Sequence, residues 1–451
     1  MKLAILGGGG FRTPLVHGAL VRDPARGVTE VVLHDIDPRR LAAIGQVLAQ
    51  AAVGHPHAPS VAVTTDLDRA LEGADFVFSA IRVGGLAGRV ADERVALDLG
   101  LLGQETTGAG GLAYGLRTVP VAVDIAERVR LRCPQAWLIN FTNPAGMVTE
   151  AMQSVLGDRA VGICDTPINM AKRVATLLGL GDAPVTLDYV GLNHLGWLRG
   201  LHHDGADVLP RLIGDDALLG ATVEGRLFGP DWVRSLGALP NEYLYYYYFH
   251  RQAVAAISAG GRTRGEFLLT QQARFYEQVG AAPDRAGELW ARSRREREET
   301  YMAAEHEGAP PAASRPGGAN PVVADVGGYE GVALALMHAL AHDEPASMIL
   351  NVRNGSTVPG LPPGAVVEVP CTVSAAGPVP GPVSAPELHQ LGLMQQVKAV
   401  ERLTIDAART GSAATAVKAF ALHPLVDSVP VARALVSGYR ERIPEVAAAI
   451  R

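Results

Sequence analysis

Short apolar runs alternate with longer mixed segments through the first 180 residues. The runs fall at residues 2–6, 31–33, 61–65, 75–81, 136–141 and 160–164. Apolar runs this short and continuous belong to strands covered on both faces. The segments between them, 13–22, 41–53, 89–99, 114–129, 144–156 and 167–178, read as helices, with a single helical turn at 66–71. Strand–helix alternation marks parallel βαβ units. The pattern predicts an α/β chain that begins as a Rossmann-like, doubly wound parallel sheet over residues 1–180.

Past residue 185 the pattern changes. Residues 186–201 contain alternating stretches, and His203-Asp204-Gly205 is a hairpin signal. Helices are expected at 241–252, 264–279, 332–342 and 385–408, and strands at 348–352 and 366–373. Residues 288–307 read as a charged, solvated helix face, and 308–320 as a loop rich in Ala, Pro and Gly. Residues 181–451 are therefore expected to form an α+β catalytic and oligomerisation region packed against the first.

The first run leads directly into four glycines, Gly7, Gly8, Gly9 and Gly10, followed by Phe11, Arg12, Thr13 and Pro14. A strand, a glycine turn and a helix start, with Thr13 as cap and Pro14 in the first turn, suit a pyrophosphate. Gly7 and Gly9 satisfy G-x-G, but Arg12 stands where a third glycine would fall, so a plain tight turn stays open on the motif alone. Asp35 and Asp37 follow the second strand, and Asp35 is placed to bind a ribose hydroxyl pair, which favours NAD over NADP. Arg82 opens a loop after the 75–81 strand, again where open α/β sheets bind ligands. The 102–112 loop, rich in glycine and threonine, has little reason to exist as packing.

Net charge is −6, with no long basic block, which argues against a nucleic-acid partner. No apolar run approaches the roughly 18–20 residues of a membrane span. Three widely spaced cysteines, Cys133, Cys164 and Cys371, suggest reduced thiols in a cytoplasm. Because the first residues already form a strand, no cleavable leader is expected.

Cys164 stands at the end of a predicted strand, as either a buried thiol or a ligand. His194 is either a core histidine or a ligand. A thiolate plus an imidazole with positions left open would suit a divalent metal that also binds substrate oxygens. Five tyrosines occupy six positions from Tyr243 to Tyr248. They cannot all share one face, so some pack in the core while at least one could act as a base beside a cation.

GGGGFRTP, LGQETTGAGG, INFTNPAG, GICDTPI, GLNHLGW, NEYLYYYY and ILNVRNGS with VEVPC occur in this order. Together they resemble glycoside hydrolase family 4, the NAD- and metal-dependent 6-phospho-glycosidases, and especially its 6-phospho-β-glucosidase branch. The resemblance implies hydrolysis by oxidation at sugar carbon 3, loss of the carbon-2 proton, elimination of the aglycone, addition of water and reduction by the same cofactor. It implies Cys164 and His194 as ligands of manganese or another divalent metal, and Tyr243 as the base. Asn143 and Glu105 fall at substrate- and cofactor-facing positions.

Arg12, Arg94 and Arg264 are candidates for the sugar phosphate. Asp165, where the β branch often has asparagine, could protonate the leaving oxygen and puts the anomeric preference in question. The alternatives are a 6-phospho-α-glucosidase, a hydrolase of unphosphorylated glycosides, or a simple NAD-dependent dehydrogenase. The family also suggests a homodimer or homotetramer.

Overall fold

The protein is represented by a computed structural model that describes residues 1–181, 183–299 and 328–451. The expected loop at 308–320, and the part of the charged helix beyond Glu299, lie outside the described residues. Thirteen strands of the described residues form one sheet. The parallel strands are β1 (Lys2–Leu6), β2 (Glu30–His34), β3 (Ser60–Thr64), β4 (Phe76–Ser79), β5 (Trp137–Asn140) and β6 (Ala160–Gly162). They lie in the order β3-β2-β1-β4-β5-β6, the doubly wound order expected from the alternation.

The antiparallel strands expected after residue 185 form, and they join the same sheet edge-on. They are β7 (Thr186–Leu192), β8 (Leu195–His203), β9 (Ala206–Asp207), β10 (Leu239–Pro240), β11 (Ala346–Arg353), β12 (Val366–Ser374) and β13 (Gly377–Pro380). The seam is antiparallel, Asn351 of β11 opposite Gly162 of β6. A side chain at 162 would meet Thr149 Oγ1 at 2.4 Å and Asn351 Cβ at 2.8 Å, so only glycine lets β11 close onto β6. β12 then pairs with β11 over its length, and Glu368 of β12 sits opposite Gly191 of β7. Across the hairpin a side chain at 191 would strike the Gly196 backbone at 2.4 Å.

The helices begin earlier than the pattern predicts. Helices Gly85–Leu97 and Ala109–Arg132 start four and five residues ahead of expectation, because glycine and alanine carry no periodic signal yet pack tightly. Their shared face holds a fully buried ion pair: Arg117 donates to both Asp92 oxygens at 2.7 and 2.6 Å. Helices Ala413–Leu422, Val429–Arg442 and Pro444–Ala449 carry no element expectation, nor do four short ones between residues 209 and 236. Together with Leu388–Thr410, the three C-terminal helices bury a second core against Ala109–Arg132.

One cap differs from expectation. Thr13 is the first residue of helix Thr13–Arg22, not its cap; Arg12 holds that position and makes no capping bond with its side chain. Ahead of helix Ala145–Leu156, the Thr142 hydroxyl accepts the Ile81 N–H at 3.0 Å and meets Ser79 Oγ at 3.0 Å, and Pro144 directly precedes the helix.

Candidate functional site

The glycine turn leaves β1 with Gly7 in the left-handed region at φ +78°. A Cβ at Gly7 would lie 2.5 Å from Ala80 O, at Gly8 2.7 Å from Leu33 Cβ, and at Gly9 2.8 Å from Arg40 Cβ. No side chain fits in this cradle. The N–H groups of Gly8, Gly9 and Gly10 are taken up by His34 O, Asp35 Oδ2 and Gly7 O, at 2.8, 3.1 and 2.8 Å. The Phe11 N–H makes no hydrogen bond among the described residues and stands just ahead of the helix, where an anion is favoured. Asp35 also accepts the Asp37 N–H at 3.1 Å, so its carboxylate is fixed beside the turn. Gly7 to Phe11 and Asp35 thus come together at one turn, through the Gly9 N–H bond to Asp35.

The carbonyls on the outside of this turn are held by rings from the second half of the chain. Tyr276 Oη donates to Gly9 O at 2.7 Å, Trp290 Nε1 to Phe11 O at 2.9 Å, and Tyr329 Oη to Arg12 O at 2.8 Å.

Arg82, at the carboxyl end of β4, pairs with Glu105 at 2.6 Å, and Arg89 reaches the other oxygen of Glu105 at 2.7 Å. Burial opposes the Glu105 charge, but these two guanidinium groups outweigh it and hold the carboxyl at about 2. Arg297 lies in the same region. Burial, reinforced by the positive charges of Arg12, Arg264, Arg89 and Arg82, pushes its guanidinium well below the usual arginine range. Arg264 donates to Arg297 O at 2.8 Å, and Arg12 lies over the rings of Phe141 and Tyr329. Guanidinium groups gathered this way can recognise an anion such as a phosphate.

Of the three arginines proposed for a phosphate, Arg12 and Arg264 join this cluster. Arg94 does not. It is taken by the Glu266 carboxylate at 2.6 and 2.7 Å and by Gly261 O, tying two helices together near the surface. Glu266 is also the reciprocal partner in the capping box that starts helix Arg264–Ala281.

Asn143 belongs to a turn whose Asn143-Pro144 bond is cis. Asn140 supports that turn, donating to Thr142 O and Ala145 O at 3.2 and 3.3 Å.

Cys164 and His194 are both buried. His194 occupies the two-residue turn between β7 and β8 with φ +63°, a left-handed conformation that histidine adopts more readily than most residues other than glycine. Its Nδ1 lies 3.0 Å from Thr106 Oγ1, and that hydroxyl donates to Gln104 Oε1 at 3.0 Å. With its one proton so directed, the hydroxyl accepts from Nδ1–H, which leaves the Nε2 lone pair available. Burial lowers the imidazole to about 4, so it is neutral at pH 7 and able to ligate. Tyr243 stacks face to face on this ring, centroids 3.7 Å apart and planes within 1°.

Burial, then the charges of Glu368 and Asp165, raise the Cys164 thiol well above its ordinary range. A divalent cation beside the sulfur would offset that cost. Among the described residues no three His, Cys, Asp or Glu side chains gather as a cation cage. Asp165 precedes helix Thr166–Leu177 but makes no cap bond with its side chain. Its charge acts on Cys164, Glu368 and Tyr329.

The other tyrosines of the run sort into the core. Tyr245 and Tyr246 are buried, Tyr248 accepts the Trp197 N–H at 3.0 Å, and Tyr247 lies over His423.

Several residues escape the sequence reading. Glu368, fully buried, accepts Tyr189 Oη at 2.9 Å, Asn193 Nδ2 at 3.1 Å and Asn351 Nδ2 at 3.0 Å. Burial pushes its carboxyl up to about 7 against those three donors. The only hint was its place in VEVPC, which reads as an ordinary strand. Thr106 was hidden inside the loop that carries Glu105. Trp290 and Arg297 lie on a helix read as solvated; seven residues apart, they share one face, and that face turns inward.

Two family models cover the chain: family 4 glycosyl hydrolase over residues 2–180, and the family 4 glycosyl hydrolase C-terminal domain over 189–426. A Bacillus subtilis (strain 168) protein described as "Probable 6-phospho-beta-glucosidase" is 33% identical over 446 residues, 97% of this chain and 95% of its own length. A 6-phospho-alpha-glucosidase from Leptotrichia buccalis is 31% identical, with 96% of each chain covered. The structure of the Thermotoga maritima 6-phospho-beta glucosidase with manganese, NAD+ and glucose-6-phosphate superposes with a TM-score of 0.81 at 27% identity, covering 99% of both chains. With both models matched in order over most of its length, the chain belongs to family 4 of the glycosyl hydrolases.

Proposed function

We propose that the protein hydrolyses 6-phospho-β-glucosides to glucose 6-phosphate and an aglycone, using NAD and a divalent metal, manganese first among candidates. The observation that carries this reading is the Tyr243 ring stacked on a neutral, oriented His194. A phenol beside an imidazole whose free lone pair can take a cation is suited to removing a carbon-bound proton, chemistry that a two-carboxylate glycosidase does not need.

When bound, the nicotinamide supplies a two-electron sink that accepts and returns the carbon-3 hydrogen, and the cation supplies positive charge beside the sugar oxygens. The cradle at Gly7, Gly8, Gly9 and Gly10, with the Phe11 N–H and Asp35, would hold the dinucleotide. Cys164 and His194 would hold the metal. Arg12, Arg264 and Arg297 would fix the 6-phosphate, and Asn143 would face the sugar. Arg82 and Glu105 would border both ligands. Tyr243 takes the carbon-2 proton once carbon 3 is a ketone, and the carbon-2 electrons expel the glycosidic oxygen. Asp165 gives that oxygen its proton. Water then adds at carbon 1 and gives its proton to the Asp165 carboxylate, and Tyr243 returns a proton to carbon 2, which restores both residues.

The relatives include α- and β-specific enzymes, and Asp165 beside Cys164 favours α-linked substrates as the second reading. β-Glucosidase relatives at 33%, 31% and 29% identity weigh for the first. The same reading makes the protein a cytoplasmic dimer or tetramer. In its support, the three cysteines are buried free thiols, and among the described residues no helix is long and apolar enough to cross a membrane.

The test is release of nitrophenol from the 6-phospho-β- and α-nitrophenyl glucosides, with and without NAD and Mn2+. The expected result is β-specific turnover that needs both additions and slows when carbon 2 carries deuterium. Turnover indifferent to NAD and metal would sink the redox route, and α-specific turnover would select the second reading.

A further inference from the structure

Two features of this chain lie on the same pair of helices. Helix Arg264–Ala281 begins with Arg264 and carries Tyr276. Helix Ala286–Glu299 carries Trp290 and, two turns on, Arg297. The arginines belong to the cationic cluster, and the aromatic residues hold the carbonyls of Gly9 and Phe11. Tyr329 adds a third link, since its hydroxyl binds Arg12 O and its ring lies under the Arg12 guanidinium.

The Phe11 side chain connects the parts. Its ring sits 5.3 Å from Phe275 and 6.1 Å from Trp290, and the Arg297 guanidinium lies 5.9 Å above it. Arg40 adds a further brace, stacked at 4.9 Å over the Tyr276 ring and donating to its oxygen at 3.3 Å. An anion that draws Arg12, Arg264 and Arg297 together therefore orders the groups that hold the dinucleotide turn from outside.

We propose that Tyr276, Trp290 and Tyr329 form a clasp on the dinucleotide turn that the sugar phosphate tightens, so that NAD and phosphorylated sugar strengthen each other's binding. They are positioning residues: each acts on NAD through the turn. The inference rests on the reading of the two sites given above. Its chemical logic is retention. A cofactor reduced at carbon 3 must still be present when the ketone is reduced back, and while the phosphate occupies the arginines the clasp stays shut. Coupling of this kind is reciprocal, with factors of about 5 to 150 in most linked sites.

The experiment measures NAD affinity by calorimetry on metal-free enzyme, alone and with saturating glucose 6-phosphate, with glucose as the control lacking the phosphate. The expected result is NAD binding at least about fivefold tighter with glucose 6-phosphate and unchanged with glucose. Tyr276→Phe and Trp290→Phe keep a ring and remove the donor. Each should weaken NAD by roughly two- to tenfold, the usual worth of one hydrogen bond, and reduce the coupling, while the ligand-free protein, which loses the same hydrogen bond, melts somewhat earlier but stays folded at the assay temperature.

Equal NAD affinity with and without glucose 6-phosphate in the parent would overturn the inference whatever the variants do. So would a parent coupling that both variants keep in full. If NAD binds and the glycoside is hydrolysed without coupling, only the clasp fails. If NAD does not bind at all, the functional reading fails with it.

Discussion

Removing one hydroxyl tests the metal reading. Thr106 Oγ1 stands between Gln104 Oε1 and His194 Nδ1, 3.0 Å from each, and Gln104 Oε1 also accepts the N–H groups of Thr106 and Thr107 at 2.5 and 2.6 Å. The amide oxygen can only accept, so the hydroxyl proton points to it and the hydroxyl lone pair takes Nδ1–H. Thr106→Val keeps the side-chain shape but removes both roles. The buried Nδ1–H then goes unpaired, at about 1–3 kcal/mol, or the proton moves to Nε2 and blocks the ligating lone pair. Loss of such an outer partner typically lowers metal affinity by about 10–100-fold, equivalent to about 1.4–2.7 kcal/mol. The assay is Mn2+ titration of NAD-loaded enzyme followed by the disappearance of the free-ion paramagnetic resonance signal. Thr106→Ser, which keeps the hydroxyl, should bind nearly as the parent does. Thr106→Val binding Mn2+ within about threefold of the parent, a gap too small for one lost hydrogen bond of this kind, would refute the tautomer argument and with it His194 as a ligand.

Glu368→Leu strands two buried donors, Tyr189 and Asn351, at about 1–3 kcal/mol each, so it should cost at least about 2 kcal/mol in urea unfolding, whereas Glu368→Gln, which still accepts at one oxygen, should cost less than half as much; equal stability of the two variants would contradict the network. His17 is fully buried, neither ring nitrogen has a partner among the described residues, and burial lowers it to about 4. Its folded value lies below the unfolded ~6.5, so its contribution is complete above pH 6.5 and shrinks as pH falls toward 4. Between pH 8 and 5 that loss is about 2 kcal/mol. His17→Leu should remove this part of the acid sensitivity in urea midpoints compared at the two pH values, and an unchanged pH dependence would disprove it.

The sequence made the parallel half readable because its strands are apolar on both faces and glycine, proline and acid punctuate them. Lys2–Leu6 and Thr13–Arg22 coincide with the runs read from the pattern. Cys164, His194 and Tyr243 stand out chiefly through the motifs that resemble the family, since neither the thiol nor the imidazole is diagnostic alone. Arg94 pairs with Glu266 instead of joining the cluster, and a sequence shows that an arginine is available, not which carboxylate takes it. Arg297 and Trp290 were missed for the opposite reason: a helix so rich in charge masks a narrow inward stripe. Glu368 sits in a strand like any other, and only the pairing of β12 with β11 and β7 reveals the three donors that make a buried carboxylate tolerable there.

That pairing also explains how two halves of unlike topology share one site. One row of partners crosses the sheet: Gly191 opposite Glu368, Glu368 opposite Asn351, Asn351 opposite Gly162, Gly162 opposite Asn140, Asn140 opposite Ser79, Ser79 opposite Leu6, and Leu6 opposite His34. Gly7 and Asp35 follow this row by one residue, Cys164 and Asn193 by two. The dinucleotide turn, the thiol and the turn that bears His194 are thus all indexed to one line of backbone hydrogen bonds. A one-residue slip of any strand in this row would turn its side chains to the other face. The glycines at 162 and 191 permit the close seams, and Glu368 fastens them by accepting from β7, from Asn193 and from β11 at once. Side-chain packing between two separate bodies could drift by an ångström, enough to misplace a catalytic group. A continuous sheet instead holds the glycine turn, Cys164 and the turn that bears His194 in one register, as the proposed removal of a hydride and a proton from neighbouring carbons would require.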